Sequence, residues 1–224
     1  MPTLHVLRVF VNDEGEWGNP LGVFLDGGEI PDAERQRIAA ELDFSETVFV
    51  VDRERHAIHI HTPTIELPFA GHPVVGTAWL LAREGIGAGV LRTAAGEVGV
   101  RTEPGAAFAT APARWAPPFA YMRLDSPAEV KALREPPGSG ENTYAWAWID
   151  EAAGTVRARA FVPGAGIAED EATGSAALAL CARLGRPLAV HQGRGSVILC
   201  RPAGDGTTEV GGNVALDGAR DLLL

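Results

Sequence analysis

Gly71-His72-Pro73-Val74-Val75-Gly76-Thr77-Ala78 begins a strongly apolar run and has a near copy later in the chain. The copy is Glu169-Asp170-Glu171-Ala172-Thr173-Gly174-Ser175-Ala176, which is also followed by an apolar run. When Gly76-Thr77-Ala78 is superimposed on Gly174-Ser175-Ala176, His72 falls on Asp170. Proton transfer uses pairs of ionisable groups whose pKa values are set apart. The two segments therefore predict a duplicated scaffold that carries an asymmetric acid/base site.

The two apolar runs predict helices over about Pro73–Arg83 and Ala172–Leu184, each followed by a glycine that ends it. Both helices are apolar on almost every side, and a helix of that kind is buried on every side. The simplest architecture curls the strands of each half of the chain around its own helix. Residues with small side chains mark the predicted N-terminal ends, where free backbone N–H groups and the helix dipole favour an anion.

The predicted elements recur in the same order in both halves: strand, short helix, strands, loop, apolar helix, strands. Proline and alanine dominate residues 111–119, which favours a connection between halves there. The loop before the second long helix is rich in glycine. We therefore predict an α+β protein of two pseudo-symmetric halves, each a curled sheet or barrel around a central apolar helix. The halves are 1–112 and 113–224, and the chain ends can pack back on the opposite half.

Composition excludes several classes of function. A net charge of −10 without a basic cluster argues against nucleic acid and anionic membranes as partners. No apolar run reaches membrane-spanning length, and the N-terminus lacks the features of a signal peptide. Lys131 is the only lysine, which disfavours Schiff-base chemistry. Cys181 and Cys200 have no metal-ligand spacing, so we expect a cytoplasmic protein with free thiols.

The helix entries hold the candidate binding groups. Gly76-Thr77 and Gly174-Ser175 would place hydroxyls and unobstructed amides at two facing anion sites, although N-capping and close helix packing explain these residues equally well. Asp170 is also a good N-cap, and His72 is also explained as a loop histidine bonded to a carbonyl. Their matching places in the repeat favour a paired site.

Glu46 begins the apolar segment Glu46-Thr47-Val48-Phe49. A desolvated carboxylate there would have a raised pKa, which suits a general acid or base near neutral pH. Taken alone, the segment fits a solvated strand entry better.

His56, His59 and His61 suggest a metal site, since His59 and His61 share one face of a strand. We find no cysteine or well-placed carboxylate that completes the set, so the polar face of a half-buried strand is the preferred interpretation. Glu66, just before the first long helix, is a weak candidate for lining the cleft. No metal and no cofactor are expected.

Taken together, four segments resemble the PhzF family of phenazine-biosynthesis-like isomerases. They are Gly18-Asn19-Pro20; residues 45–50, Ser45-Glu46-Thr47-Val48-Phe49-Val50; residues 66–73 with Gly76-Thr77-Ala78; and Glu169-Asp170 with residues 172–176. Their order and spacing extend from about residue 8 to the end of the chain. The resemblance implies the diaminopimelate-epimerase-like fold, in which two similar halves enclose the site.

The resemblance also implies a function: cofactor-independent isomerisation of a small carboxylated metabolite, of the dihydro-hydroxyanthranilate type, by a homodimer. It makes Glu46 the principal proton shuttle, with His72 and Asp170 assisting. Substrate binding is assigned to the following residues: Gly71, Gly76, Thr77, Gly174, Ser175 and Asn19.

Two other functions stay open at this point. The family's usual proline after the aspartate is Glu171 here, which adds a negative charge at the second helix entrance and alters the site. One alternative is therefore a non-catalytic small-anion-binding protein on the same scaffold. The other is an amino-acid epimerase. Racemases of related fold use a pair of cysteines at the two helix entries, where this chain has His72 and Asp170 instead, so a two-thiol racemase is disfavoured.

Overall fold

A computed structural model describes residues 2–134, 140–163 and 167–222. Its helices are α1 (Asp32–Leu42), α2 (Gly71–Arg83), α3 (Pro127–Ala132) and α4 (Gly174–Leu184). Its strands are β1 (Thr3–Val11), β2 (Asn19–Phe24), β3 (Glu46–Asp52), β4 (Ala57–His61), β5 (Glu66–Leu67), β6 (Val90–Thr93), β7 (Gly96–Glu103), β8 (Ala106–Pro112), β9 (Ala120–Arg123), β10 (Thr143–Asp150), β11 (Thr155–Val162), β12 (Ile167–Asp170), β13 (Leu188–Gln192), β14 (Ser196–Gly204) and β15 (Thr207–Asp221). The predicted Gly-rich loop includes residues 164–166, which lie outside the described residues.

Strand pairing in the first half forms a closed circuit. The order is β1-β2-β3-β4-β6-β7-β8-β15, and β15 pairs with β1 as well. This circuit surrounds α2, which packs against β1, β2, β3, β7, β8 and β15. The C-terminal strand β15 thus completes the sheet of the first half. A curled sheet around an apolar helix is the architecture that the all-round apolar pattern predicted.

The second half continues from β15 through β14, β13, β11 and β10 to β9, while β12 pairs with β11. Helix α4 packs on β14 and β15. The structure is mixed α+β, as predicted, and both long helices are buried along most of their length. The division at residue 112 stays a prediction, because β15 pairs with strands on both sides of it.

The two long helices begin at different places in the repeated segments, which corrects the sequence-based alignment. Helix α2 begins at Gly71, so His72 lies in its first turn. Pro73 has no N–H group and its fixed φ suits a first turn, so it does not delay the start. Helix α4 begins only at Gly174, because strand β12 holds residues up to Asp170 extended against β11. Asp170 therefore precedes its helix by four residues.

We expected Gly76 and Thr77 at the N-terminus of α2. They lie instead in its second turn. A Cβ atom on Gly76 would lie 2.5 Å from Leu21 and 2.8 Å from Val9, so this glycine lets the helix pack closely on the sheet. Thr77 is fully buried. Close packing, the alternative left open above, accounts for Gly76, and the geometric reason for assigning these two residues to substrate binding is removed.

The short helix α3 and the short strands β9 and β12 differ in how readily the sequence shows them. Helix α3 begins with a capping box, in which Ser126 Oγ accepts a hydrogen bond from the Glu129 backbone N–H at 3.3 Å. Strands β9 and β12 were not predicted. Both are four residues long, and β9 follows the proline-rich segment, where sequence patterns favour loop. Among the described residues, no helix has the length and apolar character needed to cross a membrane.

Candidate functional site

Glu46 and His72 meet beside the N-terminal end of α2. Glu46 is the first residue of β3, and its Oε2 lies 3.2 Å from His72 Nε2. The side chains are 15% and 5% exposed. Neither of these two atoms has a hydrogen-bond partner within the described part of the chain, so the contact is close without being a well-aligned hydrogen bond. Glu46 is therefore not the solvated strand entry that its own segment favoured.

Burial acts on both groups in the direction that removes charge. It raises the pKa of Glu46 to about 7, and the hydrogen bond with Ser45 opposes this only in part. It lowers the pKa of His72 to about 4, although Asp170 and the backbone carbonyl of Pro20 favour the charged ring. The Pro20 carbonyl requires a proton on the His72 ring, and we assign it to Nδ1 because Nε2 is unpartnered. Nε2 is then an acceptor that faces Glu46.

Asp170 is the third ionisable residue of the site, beside Glu46 and His72. Its Oδ1 accepts a hydrogen bond from Asn19 Nδ2 at 2.8 Å, and its Oδ2 accepts one from Thr173 Oγ1 at 2.6 Å. Burial raises the pKa of Asp170, and the nearby Glu46 carboxyl raises it further. The structure thus brings together the three predicted catalytic residues as one electrostatically coupled group, and three residues with different environments can hold protons at different pH values.

Asn19 is hydrogen-bonded to one member of this group, Asp170, and to Ser45, the neighbour of Glu46 in the chain. Its amide N–H₂ donates to Asp170 and to the Ala172 carbonyl, at 2.8 and 3.1 Å, and its Oδ1 accepts from Ser45 Oγ at 3.3 Å. Asn19 is only 3% exposed. Its donors are used within the protein, a geometry that suits the positioning of Asp170, and its expected substrate-binding role stays a prediction.

A further network behind Asp170 was missed from the sequence. Gln192 Nε2 donates to the Asp170 carbonyl and to Thr173 Oγ1, both at 2.9 Å, and Tyr144 Oη donates to Gln192 Oε1 at 2.9 Å. Thr173 lies in the quoted repeat, so its position was visible. Gln192 and Tyr144 belong to distant strands and carry no local signal that relates them to Asp170.

The N-terminal ends of α2 and α4 face each other closely. A Cβ on Gly71 would lie 3.1 Å from both Gly174 C and Ser175 N, and a Cβ on Gly174 would lie 3.0 Å from the Phe10 ring. Both positions therefore require glycine for close approach. Ser175 is 9% exposed. Of the expected anion-binding residues, Gly71, Gly174 and Ser175 lie together at these helix ends, where free amides favour an anion.

Glu171 does not place an unpaired charge at the entrance of α4. Its Oε1 accepts hydrogen bonds from the Arg194 backbone N–H and Ser196 Oγ, each at 2.9 Å, and Oε2 lies 3.5 Å from Arg194 Nε. Ser196 Oγ in turn accepts from the Gly18 N–H at 3.0 Å. Glu171 therefore joins the turn at residues 193–196 to the loop before β2, and its charge is partly neutralised.

A cavity of about 430 Å³ opens next to this group. Asn19, Ser45 and Asp170 line it on the side of the coupled residues. The remaining lining residues include several acids and no lysine or arginine; they are Pro20, Asp43, Phe44, Thr62, Pro63, Thr64, Ile167, Glu169 and Glu171. An anion in this cavity would have to be held by backbone N–H groups and hydroxyls rather than by side-chain cations.

The histidine-rich strand lies elsewhere, and one expectation about it is wrong. We expected no well-placed carboxylate near these histidines. Glu66 is one, because β5 pairs with β4 and sets Glu66 opposite His61. One ligand atom each from His59, His61 and Glu66 lie within 4.8 Å of one another. Glu66 does not line the cavity beside Glu46.

Comparison with known proteins identifies the family. Residues 8–136 match the model of the family described as phenazine biosynthesis-like protein. A trans-2,3-dihydro-3-hydroxyanthranilate isomerase of Pseudomonas aeruginosa is 30% identical, with 79% of this chain and 75% of that protein covered. The enzyme of the same name from Pseudomonas fluorescens is 50% identical, over 27% of this chain and only 23% of its own length.

Solved structures agree on the fold. A putative phenazine biosynthesis PhzC/PhzF protein of Clostridium difficile superimposes with a TM-score of 0.81 at 20% identity, and the match covers all of both chains. A probable proline racemase of Agrobacterium radiobacter superimposes with a TM-score of 0.63 at 12% identity, over 100% of this chain and 93% of that one. The fold, a continuous curled sheet with two long buried helices, is thus shared with this probable racemase as well as with the PhzC/PhzF protein. On the family match and the relative from Pseudomonas aeruginosa, this chain belongs to the PhzF family of phenazine biosynthesis-like isomerases.

Proposed function

We propose that this protein is a cofactor-independent isomerase that moves a proton between two carbon atoms of a small carboxylated metabolite, with Glu46 as the proton carrier. The observation that carries the proposal is the position of Glu46: its carboxyl group is largely enclosed, touches His72 and has a pKa of about 7. A carboxyl group with that pKa is populated as both acid and base at neutral pH, which suits a residue that must take a proton and return it.

The proposed reaction leaves Glu46 unchanged overall. The carboxylate takes a proton from one substrate carbon, the electron pair of that C–H bond shifts along the adjacent double bond, and the protonated carboxyl returns the proton to a second carbon. Exclusion of water strengthens each electrostatic interaction. Exchange of the proton on Glu46 with solvent before it is returned would make the transfer visible in heavy water. Neutral His72 would accept a hydrogen bond from protonated Glu46 through Nε2. Asp170 would assist through its charge, which acts on His72.

Substrate binding is proposed for the facing ends of α2 and α4. Gly71, Gly174 and Ser175 place backbone amides and a hydroxyl at these closely packed helix ends, a combination that suits a carboxylate. The names of the Pseudomonas relatives suggest a cyclic substrate of the dihydro-hydroxyanthranilate type. That substrate also bears an amino group, which would suit the acidic lining of the neighbouring cavity. The homodimer implied by the family resemblance is part of the proposal.

Incorporation of deuterium from heavy water, followed by mass spectrometry, tests the proposed function. The wild-type chain would be incubated with dihydro-hydroxyanthranilate and with a panel of cyclic and amino-acid carboxylates. Uptake into at least one substrate, together with movement of its double bond, is the expected result. Absence of uptake, combined with a carboxylate-dependent rise of the unfolding temperature, would favour an anion-binding protein instead.

The same experiment separates the epimerase alternative, which requires deuterium at an α-carbon with loss of chirality. The thiols argue against it on geometric grounds. Cys181 Sγ donates to the Arg186 carbonyl at 3.2 Å, and Cys200 is 4% exposed within β14. Burial raises the pKa of both thiols, so neither is suited to act as a thiolate base.

A proposal for Asn19 follows from its contacts: it positions Asp170 and does not bind substrate. Replacing it with alanine is expected to lower kcat by about tenfold to 100-fold with little change in KM, since a small displacement of a reacting group is costly. Steady-state kinetics on any substrate found in the panel would measure both constants. Asn213→Ala, which removes an amide bonded to Asp13 instead, is the matched control. A rise in KM at unchanged kcat would return Asn19 to a binding role.

A further inference from the structure

We propose that His59, His61 and Glu66 form a site for a divalent transition-metal ion such as Zn²⁺, held on the β4–β5 hairpin. This site is separate from the proposed active site and does not depend on the proposed function. Two histidines and one carboxylate are a recognised ligand set for zinc, with the fourth position left to water. Strand geometry brings them together: His59 and His61 are two residues apart on one face of β4, and Glu66 pairs with His61 across the hairpin.

The distances suit a shared ion. One ligand atom from each residue lies within 4.8 Å of the others, and His59 Nδ1 is 2.8 Å from Glu66 Oε1. Ligand atoms on a tetrahedral zinc ion lie about 3.4 Å apart, so small rotations suffice to close the set. The side chains of His59 and Glu66 are 40% and 41% exposed, which leaves them free to make these rotations.

His61 provides the independent evidence for a ligand. It is 6% exposed, and its Nε2 is a buried polar atom without a hydrogen-bond partner among the described residues. Its Nδ1 lies 3.0 Å from Gln36 Oε1, an acceptor that requires the proton on Nδ1 and leaves the lone pair on Nε2. A neutral imidazole held in one tautomer by such a partner is the usual arrangement of a metal-bound histidine. A bound cation would use the orphaned lone pair.

The charges around His61 permit a cation. Glu66 and Asp32 act on it as anions, and Arg35 acts as a cation, while His59 faces it on the same strand. Arg35 is paired with Asp32 at 2.7 Å, which reduces its repulsion of a metal ion. The ion would tie together the hairpin whose loop, Thr62–Thr64, lines the cavity beside Asp170.

Calorimetric titration of the metal-free full chain with ZnCl₂ near pH 7 tests the site. We expect one Zn²⁺ ion per chain and a rise in unfolding temperature with added zinc. His59→Gln and Glu66→Gln alter exposed side chains and are expected to fold; each should weaken zinc binding at least tenfold. His5→Gln and Glu41→Gln remove a histidine and a carboxylate outside the cluster and should bind as the wild type does.

The outcomes decide the proposal. Stoichiometric binding that is weakened by both cluster variants and not by the two controls supports it. Titration with CoCl₂ adds a spectroscopic readout, since a tetrahedral site gives visible absorption that the cluster variants should lose. The proposal is overturned if the wild type binds less than one ion per two chains, or if His59→Gln and Glu66→Gln retain wild-type affinity.

Discussion

Glu46→Gln is expected to reduce deuterium incorporation by about 10³-fold relative to the wild type, once a substrate is known. Glutamine has nearly the shape of glutamate but cannot take up or release a proton, so the proton loses its carrier between the two carbons. The amide should still fit beside His72, because it resembles the protonated, uncharged form of this largely buried carboxyl group. The readout is mass-spectrometric uptake from heavy water, with circular dichroism to verify the fold.

Glu41→Gln is the control for this prediction. It makes the same chemical change on an exposed carboxylate of α1 that pairs with Arg37, and it should leave uptake unchanged. Retention of exchange in Glu46→Gln above a few per cent of the wild-type rate would show that another group carries the proton. Asp170, whose pKa is also raised, would then be the next residue to replace.

The free energy of unfolding of Glu46→Gln, relative to that of the wild type, is also expected to change with pH. The difference should shift in favour of the variant by about 2 kcal/mol between pH 5 and pH 8. The folded-state pKa of Glu46, about 7, is above its ordinary value of 4.5. Such a group contributes stability that is fully present below pH 4.5 and is lost as the pH rises through 7, because the folded protein must then bury a carboxylate. The residual exposure of Glu46 keeps the expected effect below the full value of the shift.

Urea denaturation of the two proteins at pH 5 and pH 8 measures this difference. His72 acts in the opposite direction, since its lowered pKa contributes stability that is lost as the pH falls from 6.5 through about 4. Most of that loss has already occurred at pH 5, but His72 is present in both proteins, so its effect cancels in the difference between them. Equal pH dependence in the two proteins would mean that the carboxyl group of Glu46 is solvated in solution.

The interpretation of Glu46 shows how far sequence patterns extend. Its own segment favoured a solvated strand entry, and only the resemblance to the PhzF family pointed to catalysis. The decisive fact is that β3 begins beside the first turn of α2, which encloses the carboxyl group against His72. No local pattern states which distant element will cover a strand end, and it is this covering that sets the pKa.

The histidines of β4 show the same limit of sequence patterns for metal ligands. The alternation of residues along β4 correctly predicted that His59 and His61 lie on one face. The carboxylate that completes the set, that of Glu66, was not expected. Glu66 is five residues from His61 in the chain and lies opposite it only because a two-residue strand turns back on β4. Strands this short carry too few residues to show a period, so their pairing is not readable from the sequence.

The sequence by itself determined that two apolar helices would be buried in curled sheets, because a helix with no polar face can only be stable when surrounded. It also predicted that the two helix entries would face each other, although it placed the first entry at Gly76-Thr77 and the structure has it at Gly71. Only the tertiary structure decided where each helix begins, that Asn19 holds Asp170, that Glu171 is paired with Arg194, and that β15 closes the first sheet. Apart from the helix starts, those features depend on contacts between residues more than 20 positions apart, whose geometry comes from the packing of the whole chain and not from any local pattern.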